Sequence, residues 1–135
     1  MSVIYFYPWR VFCFVNEDNE NVIRRWLDQE RIPLAQRNAL QAQIDLIERV
    51  GPECVPGAIV PVAGEFLEMK AGRKGEMKLG PVLCYGPFAD TELTLLAGAP
   101  IQSGILKARD ILKVAEHNLR ILKGNPKRRR HEPIT

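Results

Sequence analysis

Glycine and proline interrupt the middle of this 135-residue chain so often that no long helix fits there. Between residues 57 and 100 the two residue types occur eleven times. The intervals hold three short runs of strand-like composition, at residues 65–70, 76–85 and 91–97. Short runs separated by turn residues predict an antiparallel meander.

The residues before this middle part predict one strand and two helices. Residues 3–15 are rich in aromatic and β-branched side chains, with Pro8 as a break or an edge. Apolar residues at helical spacing then predict a first helix from Val22 to Leu27. A second helix is expected to begin at Pro33 and to end at Gly51-Pro52, and the pair to form an antiparallel hairpin.

The clearest helix lies near the end of the chain. From Gly104 onward, apolar residues keep helical spacing for five turns, and Ala115 and Leu119 fall on the apolar face. Gly124-Asn125-Pro126 ends the helix. The lysines, arginines and histidine of residues 127–131 then predict a flexible basic tail.

Together these elements predict an α+β fold. A small antiparallel sheet of three or four strands would carry an N-terminal helical hairpin and a C-terminal helix. Residues 1–124 are expected to form the domain and residues 125–135 a basic tail.

The charge is concentrated at the same end. Residues 105–135 hold nine Lys/Arg and three Asp/Glu, whereas residues 1–104 have a net charge of −3. Such a basic segment indicates an anionic partner, and a merely solvated tail is the alternative. No apolar run is long enough for a membrane span, and Arg10 argues against a signal peptide. The three cysteines are odd in number and form no Cys-x-x-Cys pair, which favours a reducing cytoplasm over a disulfide framework or a zinc site.

Three segments resemble the RelE/ParE toxin superfamily, in particular its HigB-like, phage-derived branch. Glu68-Met69-Lys70 is similar to the Glu-Leu-Arg-like end of the family's second strand. Val82-Leu83-Cys84-Tyr85 resembles the family's Arg-Val-Leu-Tyr strand. Leu95-Leu96-Ala97-Gly98 resembles the strand that leads into the last helix.

The resemblance implies the toxin of a type II toxin–antitoxin pair with a RelE-like fold. Such toxins commonly cleave mRNA at the ribosome, while a second branch poisons DNA gyrase. An antitoxin, expected to be of the helix-turn-helix type, would hold the protein inactive. The resemblance therefore implies RNA or the ribosome as target, no membrane partner and no cofactor or metal; a homodimer is left open.

Two positions depart from the family pattern. Pro81 stands where the family strand has arginine, and residues 97–100 stand where relatives carry histidine or lysine. These residues cannot stabilise the charge that develops on a phosphate during attack by a 2′-hydroxyl. The chemistry has therefore either moved to other residues or been lost.

The candidate replacements lie close together in sequence. Lys70, Arg73 and Lys78 are the candidate catalytic cations, and Tyr85 is the candidate acid or base. The candidate nucleic-acid-binding residues are Lys74, Lys127, Arg128, Arg129 and Arg130. A polar exposed turn and a core tyrosine are the structural alternatives, and His117 is interpreted as a surface histidine. A non-enzymatic protein that binds nucleic acid or protein on the same scaffold is the second functional hypothesis.

Overall fold

The computed structural model describes residues 8–71, 80–98 and 108–135. It confirms a mixed α+β fold. The helices are α1 (Val22–Gln29), α2 (Leu34–Val50) and α3 (Ala108–Gly124), with a short 3₁₀ turn at Pro52–Cys54. The strands are β1 (Arg10–Phe14), β2 (Ile59–Ala63), β3 (Phe66–Met69), β4 (Val82–Tyr85), β5 (Glu92–Ala97) and β6 (Arg129–Arg130).

The helix positions follow the sequence signals closely. Asn21 caps α1, because its side-chain oxygen accepts hydrogen bonds from the amides of Ile23 and Arg24. Pro33 precedes α2, as expected for a residue that fixes φ and lacks an N–H. Gly51 ends α2 with φ of +86°, a conformation that favours glycine. The strand expected to reach back to residue 3 begins at Arg10. Residues 3–7 and 76–79, and the start of the last helix expected at residues 104–107, lie outside the described residues.

The prediction of a wholly antiparallel sheet of three or four strands is wrong. Over the residues that the structure describes, the sheet has six strands in the order β2-β3-β4-β5-β1-β6, and β1 runs parallel to β5. The physical reason is burial: Val11 and Cys13 are buried on one face of β1 and Phe14 on the other, so this strand belongs inside the sheet. Strand β2 was not predicted because it contains Pro61; it is an edge strand, where proline is tolerated.

Each face of the sheet has its own apolar core. Helices α1 and α2 cover one face, where Leu27, Leu40 and Ile47 pack against β1, β4 and β5. Helix α3 covers the other face with Ala115, Leu119 and Leu122, which confirms the expected burial of Ala115 and Leu119. The side-chain Nδ2 atom of Asn118 donates to the backbone carbonyl of Leu96 at 2.8 Å and anchors α3 to β5.

The basic segment is not a flexible tail. The amide of Val15 donates to the Arg128 carbonyl at 2.9 Å, and β6 pairs antiparallel with β1. Ile134 enters the core under α1 and α2 and is only 2% exposed, while its amide donates to Gln41 Oε1. We call residues 128–134 the C-terminal strap. The charges of this segment suggest a solvated tail, but its apolar residue Ile134 anchors it to the core.

The strap and one glutamate together close the edge of β1. Val11 lies in the part of β1 that does not pair with β6, and its amide donates to Glu48 Oε2 at 3.0 Å. His131 Nε2 lies 2.6 Å from the same carboxylate oxygen. A strand edge with satisfied donors is protected from pairing with another chain.

Arg129 joins the strap to β5. Its guanidinium lies 2.7 Å from Glu92 Oε1 and stacks between the rings of Phe12 and Phe88, with distances to their centroids of 3.8 and 4.8 Å. The same carboxylate oxygen accepts hydrogen bonds from the amides of Phe88 and Ala89. Burial alone would raise the pKa of Glu92, but Arg129 and the two amides outweigh burial and lower it.

The lowered pKa of Glu92 predicts a pH-dependent contribution to stability. The ionised carboxylate stabilises the fold above its unfolded-state pKa, near 4.5, and this stabilisation is lost as the pH falls through the lower folded-state pKa. We expect Glu92→Gln to lower the unfolding free energy at pH 7 by about 3 kcal/mol, because it leaves the Arg129 charge unpaired. Urea unfolding from pH 7 to pH 3 should show the difference shrinking below pH 4.5. A difference that is constant with pH would contradict this role.

The burial of Ile134 predicts that the strap is a structural part of the domain. Ile134→Ala should lower the unfolding free energy by about 2–3 kcal/mol, because it leaves a cavity in the core. Leu34→Ala is the matched control, since Leu34 is 67% exposed, and should stay within about 0.5 kcal/mol of wild type. Equal unfolding midpoints for wild type and Ile134→Ala would show that the strap does not support the fold.

Candidate nucleic-acid interface

Several strands begin or finish at the same end of the sheet. Val82 at the start of β4 lies between Glu68 near the end of β3 and Ala97 at the end of β5. Strand β1 is parallel to β5 and finishes at this same end, where β6 begins. We call this the loop end of the sheet, because residues 15–21 leave β1 there and residues 125–128 lead into β6 there.

Lys70 stands at the loop end, immediately after β3. Its Nζ lies 3.1 Å from Glu68 Oε1, so one candidate cation is already paired. The Glu68 carboxylate lies over Gly80, where a Cβ atom would come within 2.1 Å of Oε1. Arg73, Lys74 and Lys78 lie outside the described residues.

Tyr85 lies at the opposite end of the sheet. Phe66 faces Cys84 in the register, which places Tyr85 beside Glu65 and roughly 16 Å along the strands from Lys70. The Tyr85 side chain is 50% exposed, and its ring meets Trp9 edge to face at 6.1 Å. The structure therefore does not bring together Lys70 and Tyr85.

Buried residues stand at the two sites that depart from the family pattern, Pro81 and the described part of residues 97–100. Pro81 and Ala97 are buried. Gly98 is covered by the Trp26 indole, and a Cβ atom there would approach that ring to 2.0 Å. Ala99 and Pro100 lie outside the described residues. Within residues 80–98, the start of β4 and the end of β5 thus carry no cation for a phosphate.

The basic residues of the C-terminal segment have different environments. Lys127 is exposed, whereas Arg129 is held by Glu92. Arg130 donates to the backbone carbonyl of Asn19 at 3.0 Å and also contacts that residue's side-chain oxygen. Intramolecular contacts therefore already engage two of the four predicted binding residues in this segment.

Among the described residues, Arg128 forms no ion pair, whereas Arg129 pairs with Glu92 and Arg130 with Glu132. Its guanidinium carbon lies 5.9 Å from the centroid of the Phe14 ring. Its Nε atom is buried and has no hydrogen-bond partner among the residues that the structure describes. The Arg128 guanidinium has no ion-pair partner in the described part of the chain, so its charge is free to attract an anion.

Arg128 borders a groove of about 390 Å³ at the loop end, between α3 and the turn after β1. We call it the α3 groove. It is lined by Phe14, Asn16, Glu17, His117, Asn118, Ile121 and Arg128.

Fixed backbone and side-chain contacts hold the walls of this groove. The side-chain oxygen of Asn16 accepts the amides of Asp18 and Glu20, which orders the turn that carries Glu17. Asn118 is tied to β5 and holds the helix turn that carries His117. The groove thus combines the Arg128 guanidinium, which can bind an anion, with the His117 imidazole and the Glu17 carboxylate, which can accept and donate protons.

The sequence analysis did not assign this combination. His117 is exposed, as the sequence predicts. Arg128 was predicted to bind nucleic acid, but as part of a flexible tail. About a hundred residues separate Glu17 from His117, so no local spacing connects them, and only the parallel placement of β1 brings them together.

The three cysteines offer little chemistry. Cys13 and Cys84 are buried, and burial raises the pKa of each thiol to about 12. Cys54 is exposed. A thiol that stays protonated is a poor nucleophile, so Cys13 and Cys84 act as small apolar residues of the two cores.

The described ranges hold no cluster of three or more His, Cys, Asp or Glu side chains that could bind a metal ion. Among the same residues, no helix has the length and apolar character needed to cross a membrane. In comparisons with known proteins, the sequence matches no family model and no curated protein.

Proposed function

We propose that this chain is a RelE/HigB-like toxin that acts on RNA, and that the RNA backbone crosses the loop end with one phosphate in the α3 groove. The observation that carries the proposal is the meeting of Arg128, His117 and Glu17 at one groove. The order of elements, with α1 and α2 on one face of the sheet and α3 on the other, is compatible with the sequence resemblance to that family.

The position of Lys70 supports an extended nucleic-acid track. Lys70 follows β3 and Arg128 precedes β6, four strand spacings apart at the same end of the sheet. The two cations are therefore separated by roughly 19 Å in the plane of the sheet. The net charge of +6 on residues 105–135 adds long-range attraction for a polyanion.

The residues of the groove suit metal-independent cleavage of a phosphodiester. A 2′-hydroxyl oxygen would attack the neighbouring phosphorus, the bond to the 5′-oxygen would break, and a 2′,3′-cyclic phosphate and a 5′-hydroxyl would result. Glu17 and His117 are the groups able to accept the first proton and to donate the second. Arg128 would stabilise the extra negative charge on the phosphate.

The toxin proposal includes an antitoxin as a partner. A helix-turn-helix protein encoded beside this chain would bind it and block RNA. The proposed place of action is the cytoplasm, where mRNA and ribosomes are found.

Binding without cleavage is the second candidate function. The observation that favours it is the apolar packing at Pro81, Ala97 and Gly98, together with the pairing of Lys70 with Glu68. In this version the scaffold holds RNA or a protein partner through the same loop end and has lost the chemistry.

The proposal predicts that Arg128 contributes one phosphate contact. Arg128→Gln should weaken binding of a single-stranded RNA oligonucleotide and reduce the salt slope of log K by about 0.7, because one fewer counterion is released. Arg49→Gln is the matched control, since Arg49 is an exposed cation on α2 outside the groove. Fluorescence anisotropy at several KCl concentrations measures both. Equal losses for the two variants, or no RNA binding at low salt, would contradict the proposal.

The proposed chemistry predicts that His117 is needed for toxicity. His117→Gln should reduce ribosome-dependent mRNA cleavage by about a hundredfold or more, while Lys113→Gln on the same helix should not. Induced expression with growth and mRNA readouts, followed by cleavage assays with purified ribosomes, makes the measurement.

A second variant set separates this site from the one predicted from sequence. Lys70, Arg73, Lys74 and Lys78 are changed together to Ala. Cleavage that survives this change but not His117→Gln assigns the chemistry to the α3 groove, and the reverse result assigns it to the sequence-predicted cations. RNA binding without any cleavage supports the non-enzymatic function.

A further inference from the structure

A second groove lies at the end of the sheet opposite the loop end. It has a volume of about 480 Å³ and is bordered by three aromatic rings, those of Trp9, Tyr85 and Phe88, and by the carboxylates of Glu53 and Asp90. We call it the aromatic groove. The RNA proposal does not use it, because it lies at the far end of β4 from Lys70.

The aromatic groove presents ring surface to solvent. Tyr85 is 50% exposed and Phe88 is 41% exposed, and both border the same depression. Aromatic rings gathered in this way are typical of binding surfaces.

The backbone that carries these rings is held from several sides. Trp9 packs against Gly51, where a Cβ atom would lie 3.1 Å from the indole nitrogen. The Thr94 hydroxyl donates to the Gly86 carbonyl at 2.7 Å, and the Glu92 carboxylate accepts the amide of Phe88. A groove held in this way loses little conformational entropy when a ligand enters.

The charge of the aromatic groove selects the ligand. Glu53 and Asp90 are both exposed at its border, and none of the described residues that line it is a lysine or an arginine. The faces of aromatic rings carry partial negative charge and attract cations. Rings and carboxylates therefore favour a cation and disfavour a phosphate.

The protein already recognises an arginine in this way. The Arg129 guanidinium stacks on Phe88 and Phe12 and pairs with Glu92. The aromatic groove offers the same two chemical elements, ring faces and carboxylates, to a side chain from outside.

We propose that the aromatic groove binds an arginine side chain of a basic segment of a partner protein. The planar guanidinium stacks on the Tyr85 ring and pairs with Glu53 and Asp90. Arginine fits better than lysine, because a guanidinium stacks on rings and is more weakly hydrated than an ammonium. The proposal is independent of RNA binding at the loop end.

The test uses the full chain and two short peptides. The probes are Ac-Gly-Arg-Gly-amide and the same peptide with citrulline, which keeps the shape and removes the charge. An NMR titration follows the Trp9 indole N–H signal, assigned with Trp9→Phe. We expect the arginine peptide to shift this signal saturably and the citrulline peptide to bind at least about fivefold more weakly.

Substitutions locate the binding. Glu53→Gln with Asp90→Asn should weaken arginine binding by about fivefold or more, whereas Asp18→Asn, an exposed carboxylate outside this groove, should leave it unchanged. Both groove carboxylates are exposed, so the double variant should unfold at the wild-type temperature.

Three results would overturn the proposal: no indole shift with the arginine peptide, equal affinity for the citrulline peptide, or unchanged affinity in the double variant. A saturable shift of the same signal by an RNA oligonucleotide, with none from the arginine peptide, would assign the groove to nucleic acid instead.

Discussion

The ion pair between Arg129 and Glu92 holds together parts of the chain that are far apart in sequence. It ties the C-terminal strap to β5 across β1, and the same carboxylate orders the turn at Phe88 and Ala89. Because Arg129 is fixed in β6, its neighbour Arg128 is fixed beside the α3 groove. This one ion pair therefore connects the sheet edge with both proposed binding surfaces.

The two ends of the sheet present opposite chemistry. The loop end carries Lys70 and Arg128, whereas the other end carries the rings and carboxylates of the aromatic groove. A polyanion at one end and a basic segment at the other would not compete for the same atoms.

Local patterns predicted the helices and the antiparallel pairing of β3, β4 and β5, but not the positions of β1, β2 and β6 in the sheet. Pro33, Gly51 and the apolar stripes fix α1 and α2 within the chain itself, and Ala115 and Leu119 identify the buried face of α3. The placement of β1 beside β5 depends on burial of both its faces, which no spacing reveals. The C-terminal strap was predicted to be a flexible tail because most of its residues are charged, whereas the buried side chain of Ile134 anchors it. The meeting of Glu17, His117 and Arg128 was not predictable either, because it depends on the placement of β1 and β6 in the sheet.

The most direct test of the central claim is to map bound RNA on the protein by NMR. A single-stranded RNA oligonucleotide is titrated into the isotope-labelled full chain, and backbone amide shifts are followed. The account predicts the largest changes at Glu17, His117 and Arg128, with Tyr85 and Phe88 unaffected. Changes centred on Tyr85 and Phe88, or none around the α3 groove while RNA binds, would contradict it.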